Sequence, residues 1–125
     1  MNWEYLQNFI SLDGKVAIVT GASRPKGIGF AAVRALALLG ANVVISDLGG
    51  FVKGMSDECY ALRSTELLDN AVAEIKRLGG EAIAVSADLC KKEDREHLID
   101  AAIGNFGRID ILINNAASMF NTTVM

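Results

Sequence analysis

The sequence predicts an α/β protein built on a doubly wound parallel sheet. Short runs rich in β-branched residues alternate with segments of helical periodicity, in the order βαβαβαβ. The strand runs are continuously apolar, as expected for strands that are buried on both faces. Parallel strands joined by right-handed helical crossovers are the usual outcome of such alternation. At 125 residues the chain is long enough for one domain, and we expect that domain, residues 1–125, to be incomplete because the pattern stops after its fourth strand.

The first strand and the first helix have clear boundaries. The strand is predicted over residues 15–20 and ends before Gly21. The helix begins near Ile28, where apolar residues start to recur at intervals of three and four, and Gly40 ends it. Its predicted inward face consists of Ile28, Ala31, Ala32, Ala35, Leu36 and Leu39.

The same alternation continues to the fourth strand. Strands are predicted at 42–46, 82–85 and 109–113, with helices at 64–78 and 92–106. Residues 48–63 fit neither period and predict a loop insertion after the second strand. The predicted inward residues of the two helices are Leu67, Leu68, Ala71, Val72, Ile75 and Leu78 in the first, and Leu98, Ile99, Ala102, Ile103 and Phe106 in the second.

Composition excludes several classes of partner. The net charge of -3 gives no basic footprint for nucleic acid, and no apolar run is long enough to cross a bilayer. The start of the chain lacks the charged and apolar regions of a signal peptide. Cys59 and Cys90 have no metal-binding or redox spacing. We therefore expect a cytoplasmic protein that binds neither nucleic acid nor membrane.

A glycine-rich loop, residues 21–29, joins the first strand to the first helix. Its glycines permit a tight turn, close approach of the backbone to a pyrophosphate, and close packing of helix on strand. The helix N-terminus then offers free N–H groups and a positive dipole end to the phosphates. The alternative is a glycine-rich turn without a ligand. The position between a buried strand and an amphipathic helix favours dinucleotide binding.

Asp47 follows the second strand and bears on the choice of cofactor. A carboxylate at this position can accept both hydroxyl protons of the adenosine ribose. It would repel a 2′-phosphate by up to about 4 kcal/mol at 4 Å in an intermediate dielectric. This favours NAD, although the aspartate could also be a solvated strand end. Arg24 and Lys26 point to the alternative, NADP, unless they are simply exposed loop charges.

Two further polar segments follow the third and fourth strands. Asp88 and Leu89 repeat the Asp-Leu pair that ends the second strand, and Asp88 could reach the adenine amino group. The alternative role of Asp88 is to cap the helix that starts near Lys91. After the fourth strand comes Asn-Asn-Ala-Ala, residues 114–117. Its amides can fix strand ends, and its small residues let a cofactor ribose come close.

Together these motifs resemble the short-chain dehydrogenase/reductase family, from about Leu12 to Ala117. Thr-Gly-Ala-Ser at 20–23 with Gly-Ile-Gly at 27–29 resembles the family's cofactor loop, and residues 88–89 and 114–117 resemble its adenine-binding pair and its Asn-Asn-Ala-Gly motif. The resemblance implies a Rossmann fold, NAD or NADP as cofactor, and hydride transfer to or from an alcohol or ketone. The candidate cofactor-binding residues are Gly21, Ser23, Arg24, Gly27, Ile28, Gly29, Asp47, Asp88, Leu89, Asn115, Ala116 and Ala117.

The chain departs from the family pattern in three ways. The glycine loop carries two extra residues around Pro25 and Lys26, and Pro25 has no N–H to offer a phosphate. Ala117 replaces the usual glycine. The family's catalytic Ser and Tyr-x-x-x-Lys lie downstream of the Asn-Asn motif, and neither tyrosine of this chain has a lysine four residues later. His97 lies in a run of charged residues and is no substitute.

Two functions follow from this pattern. The first is the N-terminal half of an oxidoreductase that is a homo-oligomer when complete and acts on a small alcohol or ketone, the 125-residue chain alone being inactive. The second is a non-catalytic dinucleotide-binding or regulatory module. A kinase-like phosphate loop is excluded because no Lys-Ser or Lys-Thr follows the glycines.

Overall fold

The computed structural model describes residues 3–48 and 65–117, so the predicted insertion lies outside the described residues except for Leu48. The described elements are α1 (Trp3–Gln7), β1 (Val16–Thr20), α2 (Ile28–Leu38), β2 (Asn42–Asp47), α3 (Thr65–Arg77), β3 (Ala82–Ser86), α4 (Lys92–Phe106) and β4 (Ile111–Ile113). The four strands and three main helices are confirmed, with ends within two residues of those expected. The short helix α1 was not predicted.

All strand pairs are parallel, in the order β3-β2-β1-β4. The chain therefore moves outward from β1 to β3 and then crosses over to place β4 on the other side of β1. This reversal of direction is the topological switch point, beside which ligands bind in open α/β sheets. The doubly wound Rossmann arrangement is confirmed.

The sheet has an apolar core on each face. One core packs Val19, Val43 and Ile45 against α2 and α3, and the other packs Ile18 and Val44 against α4. Every residue of β1 is buried, and so are the four central residues of β2. Continuous apolar runs therefore did indicate strands covered on both sides.

Helix α2 turns a different face inward from the one expected. Phe30, Val33 and Ala37 are buried, whereas Ile28 is 83% exposed and Ala31 is also exposed. The predicted face was wrong at these two positions because α2 is apolar around most of its circumference. Its periodicity therefore fits more than one orientation, and only tertiary packing decides between them.

Two predicted inward residues of α4 are exposed. Leu98 and Ala102 are buried as expected, but Ile99 is 43% exposed and Ile103 is 46% exposed. Both lie on the flank of α4, which is the only main helix that packs on this face of the sheet among the described residues. Leu112 of β4 is 53% exposed on the same face. On this face the described fold thus leaves Ile99, Ile103 and Leu112 partly open to solvent.

The last strand starts later than predicted because Asp110 has another role. Its carboxylate accepts hydrogen bonds from the Val16 amide at 2.9 Å and from the Arg108 guanidinium at 2.6 Å. The Arg108 hydrogen bond, followed by the Val16 amide, lowers the pKa of Asp110 below its ordinary value. Asp110 also donates its own amide to the Val16 carbonyl at 2.9 Å. This exchange sets the register of β4 on β1.

Candidate cofactor-binding site

Four segments that follow strands meet at the carboxyl edge of the sheet. Backbone hydrogen bonds join the first three: the Ala22 amide donates to the Ser46 carbonyl at 3.1 Å, and the Ala87 amide donates to the Asp47 carbonyl at 2.9 Å. Because the strands are parallel, the loop after β1, Asp47, Asp88 and the Asn-Asn segment all lie at this edge. The structure thus brings the sequence-predicted motifs to one side of the molecule.

The two extra residues of the glycine loop form the centre of a β-turn. The Gly27 amide donates to the Arg24 carbonyl at 3.0 Å, which places Pro25 and Lys26 at the two middle positions. Proline suits the first of these because its fixed φ matches and no N–H is needed there. Arg24, Pro25 and Lys26 are all exposed. The two extra residues therefore lie in a solvent-facing turn that directly precedes α2.

The N-terminus of α2 has open hydrogen-bond donors. Gly27 is the N-cap residue and gives no side-chain cap, and the first turn has no acidic residue. The first amide to bond back to the cap is that of Ala31. Within the described part of the chain, the amides of Ile28, Gly29 and Phe30 donate to no acceptor. Such a helix end is suited to the charge and oxygen atoms of a diphosphate.

Two glycines of the loop are fixed by contact with the segment after β4. Gly21 has φ +65°, and a Cβ there would lie 2.7 Å from the Ala116 Cα. A Cβ on Gly29 would lie 2.5 Å from the Asn115 Nδ2 and 2.9 Å from the Gly21 carbonyl oxygen. At both positions the neighbouring atoms are too close to admit any side chain. The glycine loop and the Asn-Asn segment therefore form one packed unit. A side chain on either glycine would push the two segments apart.

Thr20 and Asn115 hold that unit together. The Thr20 Oγ1 accepts from the amides of Asn115 and Ala116 at 3.2 and 3.1 Å and donates to the Ile113 carbonyl at 3.4 Å. The Asn115 Nδ2 donates to the carbonyls of Thr20 and Gly21 at 3.2 and 3.0 Å. Thr20 is only 3% exposed. Its part in the site was missed, although its place in the Thr-Gly motif was a signal for it.

Asp47 lies at the end of β2 and is held by three donors. Its Oδ2 accepts from the Ser23 hydroxyl at 2.6 Å and from the Ser23 amide at 3.2 Å. Its Oδ1 accepts from the Leu48 amide at 2.8 Å. Asp47 is partly exposed, and none of these donors carries a charge. A carboxyl group with uncharged hydrogen-bond partners therefore lies beside the glycine loop.

Asp88 is held by its own turn and by α4. Its Oδ1 accepts from the Cys90 amide at 2.9 Å, and its amide donates to the Asp94 carboxylate at 2.8 Å. Arg95 donates to the Leu89 carbonyl at 2.8 Å. The N-cap residue of α4 is Lys91, so the alternative that Asp88 caps this helix was wrong. Asp94 and Arg95 were missed as supports of the Asp88–Leu89 pair; the acidic first turn of α4 was the available signal.

The other predicted site residues are at the surface. Arg24 and Lys26 form no ion pair within the described ranges, and Ala117 is exposed. His97 is exposed, as expected for a charged helix face. No group of three metal-ligating side chains occurs in the part of the chain that the structure describes. Within those residues, no helix has the length and apolar character to span a bilayer.

The family model described as short chain dehydrogenase matches residues 15–124. The chain belongs to the short-chain dehydrogenase family. A family relative, the 3-oxoacyl-[acyl-carrier-protein] reductase of Synechocystis, is 41% identical over 115 residues, which are 92% of this chain and 40% of the relative. The match begins after α1, so the unpredicted helix lies outside the part that the family model covers.

Two solved short-chain dehydrogenase structures have the same fold. The hydroxysteroid dehydrogenase of Escherichia coli gives a TM-score of 0.70 at 36% identity, covering 86% of this chain and 39% of that one. Carveol dehydrogenase from Mycobacterium avium, in complex with NAD, gives a TM-score of 0.72 at 28% identity, covering 84% and 36%. The chain spans 40% or less of the length of several curated relatives that it matches.

Proposed function

We propose that the protein is an NAD-dependent oxidoreductase that transfers hydride between the nicotinamide and an alcohol or ketone carbon. In this proposal residues 1–125 supply the cofactor-binding half. The observation that carries the proposal is the pairing of open donors at the N-terminus of α2 with the Asp47 carboxylate at one edge of the sheet. These are a diphosphate site and a ribose site in the order that a dinucleotide requires.

Each residue has a chemical role in this proposal. The amides of Ile28 and Gly29 bind the diphosphate, Asp47 accepts the ribose hydroxyls, and Asp88 accepts from the adenine amino group. Asp88 keeps its Oδ2 without a hydrogen bond among the described residues, so this oxygen is available. The exposed Ile28 offers an apolar surface beside the phosphates. The bound cofactor would supply the hydride chemistry.

Charge supports NAD over NADP. Asp47 has only neutral donors, so its full negative charge faces any phosphate on the 2′ oxygen. Arg24 and Lys26 lie in the exposed turn and form no ion pair with Asp47. At short range the repulsion between Asp47 and a 2′-phosphate would exceed the attraction between that phosphate and the two solvated cations.

The test is titration of the protein, expressed from its whole coding sequence, with NADH and NADPH by fluorescence or calorimetry. We expect NADH to bind at least about tenfold more tightly, a difference of 1.4 kcal/mol. Asp47→Ala should remove this preference, whereas Asp100→Ala, at an exposed aspartate of α4, should keep it. Tighter binding of NADPH by the unaltered protein would contradict the proposal and assign the main role to Arg24 and Lys26.

We expect turnover to need groups beyond those of residues 1–125. Neither tyrosine of the chain is followed by a lysine four positions later, so the sequence lacks the Tyr-x-x-x-Lys pattern that would donate a proton to a carbonyl oxygen. We therefore expect no turnover from the 125-residue chain alone. Alcohol oxidation or ketone reduction by this chain would contradict that expectation. Cofactor binding with no turnover by the whole gene product would favour the non-catalytic module instead.

The remaining expectations are part of the same proposal. We propose a small alcohol or ketone as substrate and a homo-oligomeric, cytoplasmic protein without nucleic acid or membrane partners. Cell fractionation tests the compartment, and light scattering of the whole gene product tests the oligomeric state.

A further inference from the structure

Ser23 donates two hydrogen bonds, one from its hydroxyl and one from its amide, to the same oxygen atom. Its hydroxyl donates to the Asp47 Oδ2 at 2.6 Å, and its amide donates to the same oxygen at 3.2 Å. The residue is 5% exposed, and its hydroxyl forms no other hydrogen bond within the described ranges. Ser23 belongs to the glycine loop, whereas Asp47 ends β2. One short side chain thus ties the loop that faces the phosphates to the carboxylate that faces the ribose.

We propose that Ser23 is a positioning residue that fixes the Asp47 carboxylate and thereby sets the preference for NAD over NADP. This inference rests on the proposed function, because it takes Asp47 as the group that meets the ribose. The geometry makes the role specific. Two donors from a single buried residue hold Oδ2 in place, and the carboxyl group cannot rotate without breaking both bonds.

The hydrogen bonds also decide which part of the carboxylate remains open. An ionised carboxylate has about four lone-pair sites, two on each oxygen. Ser23 occupies both sites on Oδ2, and the Leu48 amide occupies one on Oδ1 at 2.8 Å. The site that remains is on Oδ1. Ser23 therefore directs Oδ1 toward an incoming hydroxyl group.

The charge of the groups that donate to Asp47 matters as much as their position. A lysine or arginine at the place of Ser23 would hold the carboxylate equally well but would cancel its charge. Neutral donors hold it without cancelling the charge, so a 2′-phosphate still meets the full repulsion. A fixed, uncompensated carboxylate discriminates better than a mobile one, because a mobile side chain can turn away from the phosphate.

Ser46 provides a matched control for this role. It is a second buried serine, 1% exposed, and it directly precedes Asp47 in β2. Its Oγ has no hydrogen-bond partner among the described residues. Ser46→Ala and Ser23→Ala therefore remove the same atom from two neighbouring buried positions, but only the second substitution removes a hydrogen bond to Asp47, the shorter of the two that Ser23 donates.

The experiment is titration of the whole gene product and its variants with NADH and with NADPH. Ser23→Ala should lower the ratio of the NADPH Kd to the NADH Kd by about tenfold, or 1.4 kcal/mol. Ser46→Ala should leave that ratio within about twofold of the unaltered protein. Ser23→Thr, which keeps the hydroxyl, should restore most of the preference. An unchanged ratio in Ser23→Ala would overturn the inference. If Ser23→Ala does not fold, Ser23→Cys, whose thiol is a weaker donor, replaces it. A lowered ratio in that variant would support the inference, and an unchanged ratio would overturn it.

A double-mutant cycle separates this inference from the proposed function. In an Asp47→Ala background, Ser23→Ala should no longer change the ratio, because its target is gone. If Asp47→Ala itself leaves the ratio unchanged, the assignment of Asp47 to the ribose fails. If Asp47→Ala abolishes the preference while Ser23→Ala does not alter it, only the role of Ser23 fails.

Discussion

At the scale of single residues, the hydroxyl of Thr20 joins the carboxyl ends of two neighbouring strands that are far apart in sequence. It is almost fully buried, and it binds the backbone at Ile113, Asn115 and Ala116. A buried polar group that loses its partner costs more than the bond contributes net. Removing this hydroxyl would leave two amides of the segment after β4 without their acceptor.

We expect Thr20→Val to lower the free energy of unfolding by about 1–3 kcal/mol, because the shape is kept and the hydrogen bonds are lost. Denaturant unfolding measures the difference. Ser46→Ala is the control, since its hydroxyl makes no hydrogen bond among the described residues. That variant should be neutral or slightly more stable. Equal losses in the two variants would refute the role given to Thr20.

Gly21→Ala should damage the fold more than a substitution at another left-handed glycine. Gly21 and Gly79 have φ values of +65° and +88°, but only at Gly21 would a Cβ meet backbone atoms. Both alanine variants incur the left-handed strain of about 1–2 kcal/mol. The contact with Ala116 should add about 1–3 kcal/mol at Gly21 alone. Thermal unfolding of both variants checks this, and similar melting temperatures would contradict it.

At the scale of elements, the sequence was most informative where burial was complete. β1 and β2 were predicted correctly because strands covered on both faces must be continuously apolar, and glycines closed the helices. Helix orientation was harder. α2 has apolar residues all round, and Ile99 and Ile103 of α4 follow the inward period although they lie on an uncovered flank. The helix α1 has five residues, too few to give a period.

In the site, too, some features could be predicted from the sequence and others depend on tertiary contacts. Motif residues such as Asn115 could be placed from sequence because each follows a strand directly. The supports of those residues could not, because the Asp94–Asp88 and Ser23–Asp47 hydrogen bonds depend on how loops from different strands meet. Spacing along the chain carries no direct information about such contacts.

Strand β4 has three residues, and Asp110 attaches its start to β1. Because the folded-state pKa of Asp110 is lowered, ionised Asp110 stabilises the fold above the ordinary pKa of an aspartate. That contribution is lost as the pH falls through the lowered folded-state value. We expect Asp110→Asn to lower the Tm at pH 7 and the difference to shrink as the pH falls below about 4.

Asp100→Asn is the control for this pH dependence, since Asp100 is exposed on α4 and forms no ion pair within the described residues. Its Tm should follow that of the unaltered protein over the whole range. A Tm difference for Asp110→Asn that stays constant between pH 7 and pH 3 would show that the carboxylate charge is not what stabilises β4.

At the scale of the whole molecule, the two faces of the sheet are covered unequally. α2 and α3 cover one face, whereas α4 alone covers the other among the described elements. Ile99, Ile103 and Leu112 remain partly exposed there, and β4, which contains Leu112, is an edge strand of the sheet that the described residues form. Exposed apolar groups beside an open edge favour association between chains.

We expect the 125-residue chain to self-associate and Ile103→Lys to reduce this association. Ile103 is 46% exposed, so the substitution should change the free energy of unfolding by no more than about 0.5 kcal/mol. Sedimentation velocity over a concentration series measures the association. Ala102→Lys, at a fully buried neighbour, should instead unfold the chain. Unchanged association in a folded Ile103→Lys variant would show that this flank is not involved.

The position of β1 in the sheet has a consequence for the order in which the chain is made. β1 lies between β2 and β4, so its two partners leave the ribosome at very different times. The edge shared with β2 can close early, but the edge shared with β4 stays open until residues 111–113 have emerged. The first of the four described strands to be synthesised is therefore among the last of them to be fully enclosed. During that interval the nascent chain exposes one edge of β1, a strand whose residues are all buried in the finished fold, and an exposed strand edge can pair with another chain.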